Sequence, residues 1–278
     1  MIARRLAAVA AAALASCAAR EQRPGAEELA LKQRSAGETA RRFDDPRTAA
    51  ALYERSSRNA AAVDRPRLAA DAACREGIAQ LAAGAPERAE ESFARAETLA
   101  RDAGDRSLAA RALLGVARAR RMTGSGDVAG PLREARALAR DGGDRTAEAL
   151  AEVGLGALSP PAEARERYAA AERLAGDASE VQGPLRLNRA RLDEREGRPA
   201  DARAGYRAAV APLSVADDRP GLLAALQAAA RLADADPAGA GEATELHRRA
   251  ALVADGLGRL EVARTERRAA EASAARAR

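Results

Sequence analysis

At 278 residues the chain has room for one or two ordinary domains, yet its makeup argues against a core of large side chains. Its 47% apolar content is mostly alanine, aromatics supply 2%, and tryptophan is absent, which points to helices packed closely on small residues. The formal charge is +5, but 46 basic side chains, all arginine except Lys32, are interspersed with 41 acidic ones, and such mixing marks solvated, salt-bridged helix faces rather than a nucleic-acid-binding stripe.

The chain opens with a basic head, Met1-Ile2-Ala3-Arg4-Arg5, and an uncharged apolar run from Leu6 to Leu14 that is too short to span a bilayer as a permanent helix. Residues 1–16 are expected to be a secretory signal peptide. Leu14-Ala15-Ser16-Cys17 resembles the lipobox of bacterial lipoproteins. That resemblance implies that Cys17 carries the lipid (palmitate among its acyl chains) and becomes the first mature residue, which anchors the protein to a membrane. Ala18 stands where an inner-membrane lipoprotein has Asp, so the same family rule implies an outer-membrane lipoprotein facing the periplasm. Loss of Arg4 and Arg5 would leave 44 basic side chains against 41 acidic, and Cys74 as the one free thiol, with no intramolecular disulfide. Residues 17–25 read as the lipidated Cys and a polar tether.

Helix is expected from about Ala26, where Glu27 and Glu28 suit a helix N-terminus, to about Phe43. Asp44-Asp45-Pro46 then ends that helix and starts the next. The second helix carries Ala49, Tyr53 and Ser56 at steps of four and three, a small, bulky, small stripe on one face. The stripe returns as Ala89, Phe93, Ala96; Val128, Leu132, Ala135; Ala164, Tyr168, Ala171; Ala202, Tyr206, Ala209; and Ala243, His247, Ala250. The central residues lie 40, 39, 36, 38 and 41 positions apart, a period near 39 that identifies an internal repeat.

A second marker keeps the same phase. Asp64-Arg65-Pro66, Asp105-Arg106, Asp144-Arg145 and Asp218-Arg219-Pro220 each precede an Ala- and Leu-rich helix that the Asp could cap, with a degenerate fifth copy at Ser179-Glu180 and Gly183-Pro184. Between the markers fall the inner turns at Gly84-Ala85-Pro86, Gly124 to Asp127, Ser159 to Pro161, Gly197 to Pro199 and Asp236-Pro237. Each unit is thus a leading helix, a short turn and a trailing helix. The leading helices carry small residues at Gly77, Gly115, Gly154, Ala190 and Ala228, where a partner helix is expected to cross.

Gly77, Gly84, Ala89, Phe93 and Ala96 stand at spacings that resemble the tetratricopeptide repeat (TPR). The resemblance implies an all-α fold, a right-handed superhelix (solenoid) of about six TPR-like helix pairs over residues 26–255, with 256–278 as a C-terminal capping helix. It also implies that leading helices line a groove for a protein or peptide partner. The first full leading helix would contribute Asp71, Cys74 and Ile78, the next Ala112, Val116 and Arg120, then Glu148 and Leu155, and finally Leu187, Arg191, Glu194 and Arg195. The family's clamp for terminal carboxylates uses Lys and Asn, which this chain offers only at Lys32, Asn59 and Asn188, so an extended peptide or partner helix laid along the groove is expected instead.

Catalytic chemistry finds no foothold. His247 is the only histidine and replaces the aromatic of its repeat, so it reads as a packing residue whose change to Phe is tolerated or stabilising, and a multi-histidine metal site is impossible. Cys74 sits among small apolar residues, and no Trp offers a base-stacking platform. The sequence therefore predicts a non-enzymatic, cofactor-free and metal-free, lipid-anchored TPR scaffold for protein–protein interaction in the cell envelope. Its resemblance to lipid-anchored repeat proteins that assist pilus secretin or outer-membrane barrel assembly implies a role in assembly or maintenance of such complexes. The alternative is a cytoplasmic TPR regulatory or sensor module without a lipid anchor. Packing of the stripe has a direct test: Phe93→Ala should cost about 3 to 5 kcal/mol in chemical denaturation, and an unchanged midpoint would mean that the stripe is not buried.

Overall fold

The computed structural model describes residues 25–278, and within them every regular element is an α-helix, thirteen in all. The expected signal peptide, Cys17 and most of the tether lie outside the described residues. The polypeptide divides into two compact units at Gly104/Asp105. The N-terminal unit contains α1 (Ala26–Arg42), α2 (Pro46–Ala61), α3 (Pro66–Ala82) and α4 (Pro86–Asp102). The C-terminal unit contains α5 (Arg106–Thr123), α6 (Ala129–Gly142), α7 (Arg145–Leu158), α8 (Pro161–Ala175), α9 (Ser179–Arg195), α10 (Pro199–Val215), α11 (Arg219–Asp234), α12 (Ala240–Gly256) and α13 (Leu260–Arg276). Within each unit every helix packs on the next one in sequence.

One tight turn makes most of these links. One to three residues past the helix end comes a left-handed one, supplied by Gly84, Gly104, Gly143, Gly197 or Gly258, or by Asp44, Asp64 or Asp217. The following residue then donates its N–H back to the helix it has just left, as from Ala85 to Gln80 O at 2.9 Å and from Arg198 to Asp193 O at 2.9 Å, satisfying a carbonyl that the helix end would orphan. The next helix begins at once, often on Pro. Asp45, Asp105, Asp144 and Asp218 cap the helices that follow them, as expected. Asp64 does not cap. It takes the left-handed position itself, at φ 55°, and the residue before α3 is Arg65, which makes no side-chain cap. Asp tolerates that conformation better than most residues.

The stripe is the core. Tyr53, Phe93, Leu132, Tyr168, Tyr206 and His247 are all buried, and the small residues flanking them are buried too, except half-buried Val128 at the start of α6. Each bulky side chain needs space on the neighbouring helix, and for Tyr53, Phe93, Leu132 and Tyr168 glycine supplies it. A Cβ on Gly37 would stand 2.7 Å from the Tyr53 ring, one on Gly77 2.8 Å from the Phe93 ring, and one on Gly156 2.5 Å from the Tyr168 ring. Gly154, marked in the sequence as the crossing point of its pair, instead accommodates Leu132 of the preceding helix. The shift has a simple origin. Gly37 and Gly77 each lie sixteen residues before their ring and Gly156 only twelve, since α7 has 14 residues where α3 has 17. The pair has lost about one helical turn, which is where the spacing contracts to 36.

In the C-terminal unit the packing of α5, α6 and α7 resolves into three rungs: Ala110, Ala139 and Ala147; Leu113, Ala135 and Ala151; Ala117, Leu132 and Leu155. The leading helices also touch one another, α5 with α7, α7 with α9 and α9 with α11. α13 continues this row. Gln227 Nε2 of α11 donates to Glu266 Oε1 of α13 at 2.8 Å, and Ser273 Oγ of α13 donates to Asp234 Oδ1 of α11 at 2.7 Å, both across a separation of 39 residues, one period of the repeat. α13 therefore stands where the leading helix of a further repeat would stand, with Ala270 and Ser273 buried.

Helix propensity and packing oppose each other at Gly77, which makes it a sharp test. Alanine there should gain about 1 kcal/mol of propensity but force the Phe93 ring off its seat, a strain of about 1 to 3 kcal/mol. Gly77→Ala should therefore lower the denaturation midpoint, and adding Phe93→Leu should recover part of the loss.

Candidate functional site

Polar groups enter these helix stacks under one rule: a carboxylate on a leading helix meets a cation from a neighbouring helix. In the N-terminal unit buried Glu76 of α3 accepts from Ser92 Oγ at 2.9 Å, from Gln80 Nε2 at 3.1 Å and from Arg95 of α4. Burial still holds its carboxyl above the usual range, against the Arg95 charge and the Ser92 hydrogen bond. In the C-terminal unit Glu148 pairs with Arg140 at 2.7 Å, and Glu152 with Arg136 at 3.3 Å and Arg167 at 3.0 Å. Glu194 of α9 accepts from Tyr206 OH at 2.7 Å and from Arg231 of α11. Those two hydrogen bonds and the Arg231 charge outweigh burial and keep the Glu194 carboxyl low.

His247 fills its repeat position in a way the other bulky residues do not. Its Nδ1 lies 2.6 Å from Glu266 Oε2 on α13, and its Nε2 lies 3.0 Å from Asp234 Oδ2 on α11. His247 is 7% exposed, and Glu266 is equally buried. An imidazole can donate to both carboxylates only when both nitrogens carry protons. Asp234 also accepts from Ser273 and Arg276 of α13. Burial pushes the Asp234 carboxyl up, but hydrogen bonds from Ser273 and His247, with the charges of His247 and Arg276, outweigh it and hold the group low. Phe at 247 would fill the space but would leave Glu266 with the Gln227 hydrogen bond and without its imidazole partner.

The residues expected to line a groove fall into two kinds. Cys74, Ala112, Val116, Glu148, Leu155 and Leu187 are buried. Asp71 is half-buried and bound by Arg34 at 3.1 Å and Arg75 at 2.9 Å, while Arg120 reaches Asp127 O at 2.9 Å. Ile78, Arg191 and Arg195 are exposed, with Glu194 half-buried between the two arginines. The C-terminal unit adds two residues that the sequence reading passed over, Arg118 and Arg121 on α5. Arg118 Nη2 lies 2.9 Å from Asp218 Oδ1, joining α5 to the start of α11 across one hundred residues and two intervening leading helices. The row of leading helices is therefore curved, with its inner side chains converging. Arg118 lies three residues from Arg121 on one helical face, a spacing readable in the sequence, but what they meet across the row was not.

The fold is a helical repeat. It is similar to the crystal structure of the apo form of RapI, with 10% sequence identity and a TM-score of 0.57 over 89% of this chain and 98% of that one. At that identity the likeness concerns architecture alone. No family model and no curated protein sequence matches the chain. Among the described residues no group of three or more His, Cys, Asp or Glu side chains could hold a metal ion, and no helix is long and apolar enough to cross a membrane.

The polar junction at His247 generates a stability prediction. His247→Phe should destabilise the protein by about 3 kcal/mol, because it removes one partner of a buried pair. Asp234 has a folded pKa below its ordinary value, so its contribution is present above that value and is lost as pH falls through the folded one. Urea titrations of wild type and variant should therefore converge as the pH drops below about 4.

Proposed function

We propose that the chain is a non-catalytic scaffold that holds a protein or peptide partner on the inner row of its leading helices, in the manner of a TPR array. The observation that carries this reading is the ion pair between Arg118 and Asp218, which brings side chains of distant repeats onto one inner surface. A surface assembled that way can follow an extended segment or a helix along its length. The bulky residues of the trailing helices and the sole histidine are consumed by packing and internal ion pairs, which favours binding over chemistry.

The same proposal places the scaffold on the periplasmic side of the outer membrane, held by acyl chains on Cys17, where assembly or maintenance of an envelope complex would be its task. The basic head, apolar run and Leu14-Ala15-Ser16-Cys17 support it. The two halves of the reading are tested separately. Cells fed a labelled fatty acid should label the wild-type protein and not Cys17→Ser; equal label in both would remove the anchor. A photoreactive residue replacing Arg195 should capture a discrete partner, and equal capture from Leu252, an exposed position on trailing α12, would remove the inner row as the binding surface.

A further inference from the structure

The first helix pair carries charge that its own residues do not balance. Glu27 is paired with Arg65 at 3.1 Å, Glu28 with Lys32 at 2.7 Å, Glu38 with Arg75 and Glu54 with Arg58. Asp45 caps α2 by accepting from Thr48 N at 3.0 Å, and Asp44 is engaged as well. Every acid of α1, α2 and the turn between them is thus occupied. Arg42, Arg47 and Arg55 remain. All three are exposed, and none makes a hydrogen bond or ion pair with a described residue through its side chain. Arg47 and Arg55 lie eight residues apart on one exposed face of α2, with Ala51 between them.

Phe43 stands at the head of that face. It is 82% exposed, more than any other large apolar side chain among the described residues. The turn holds it in place: its N–H donates to Thr39 O at 3.1 Å, Asp44 follows in the left-handed conformation, and α2 starts at Pro46. A fixed tip therefore presents one aromatic ring flanked by cations. Along α1 the outer face continues through Leu31, Ser35, Thr39 and Arg42, all exposed, and Glu28 and Lys32 on that face neutralise each other.

The sequence before α1 brings a bilayer within reach of this face. Gly25 is eight residues after Cys17, a stretch that spans at most about 27 Å when extended. α1 has 17 residues and is about 25 Å long. An acylated Cys17 would hold the first pair beside the membrane, with tether enough for α1 to lie along it.

We propose that the outer side of α1 and α2 docks on the surface of an anionic phospholipid bilayer, with Phe43 inserted at the base of the headgroups and Arg42, Arg47 and Arg55 on lipid phosphates. The proposal takes its occupant from the reading of Cys17 as an anchor and adds an orientation to it. An aromatic ring suits the boundary between headgroups and acyl chains, and each arginine near a negative surface is worth about fivefold in affinity. One ring and three arginines bind weakly by themselves, which suits a protein that acyl chains already retain and that has only to be oriented.

The chain has no tryptophan, so Phe43→Trp gives it a single fluorescent reporter at the tip. The test uses the full chain with Cys17→Ser, which removes acylation. Phosphatidylglycerol vesicles should shift the reporter's emission to the blue, lipids brominated on their acyl chains should quench it, and phosphatidylcholine vesicles should do both far more weakly. Arg42→Gln, Arg47→Gln and Arg55→Gln together should weaken the response about a hundredfold, and added salt should weaken it too. A reporter introduced instead by Ala94→Trp, an exposed position on α4, should keep its emission in water. Absence of quenching from position 43, equal quenching by the two lipids, or a triple variant that responds as its parent does would overturn the proposal. So would a larger response to an oligonucleotide, which would assign the arginines to nucleic acid. The anchor fails separately. If Cys17 takes no labelled fatty acid but the reporter is quenched, docking stands without the anchor; if Cys17 is labelled and the reporter stays in water, the anchor stands and docking falls.

Discussion

The structure depends on the fit of a ring over a residue without a Cβ. Where Phe93 lies on Gly77, Tyr53 on Gly37 and Tyr168 on Gly156, two helix backbones approach more closely than any larger pair of residues would allow. That proximity lets the small residues on either side of each ring reach full burial, so a chain with 2% aromatic residues still closes a core. The cost is the weaker helix propensity of glycine, offset by packing of the ring. Each pair is then joined by a turn so short that the next helix cannot drift from this register.

Arginine performs the complementary task on the polar side. A core built of small side chains leaves the backbones close together and the longer polar residues near the rims, where a flexible, permanently charged group can reach a carboxylate one period away. Arg231 with Glu194 and Arg75 with Glu38 are pairs of this type. In Asp234, His247 and Glu266 the same device has moved inward, with the imidazole set between two carboxylates.

Much of the fold is legible in the sequence because its determinants are local. The stripe steps by three and four residues, the turns carry Gly, Asp and Pro, and both recur at a period near 39. What escaped is what depends on distance. Which glycine lies under Tyr168 was decided by the loss of a helical turn in α7, which a fixed template would not reveal. Asp64 resembles a cap in composition and is distinguished from one only by its backbone angle. His247 looked like an aromatic filler because its partners lie 13 residues before it and 19 residues after it on two other helices.

The short links between helices, most of them three residues long, also shape how the chain finds its structure. Closing so short a loop costs little entropy, and nearly every favourable contact is made with the next helix in line. Low contact order of this kind favours rapid folding, and nucleation can begin at any well-formed pair and spread outward. Opening should be graded in the same way, with single pairs peeling from a unit well before it unfolds as a whole, so hydrogen exchange would be read pair by pair.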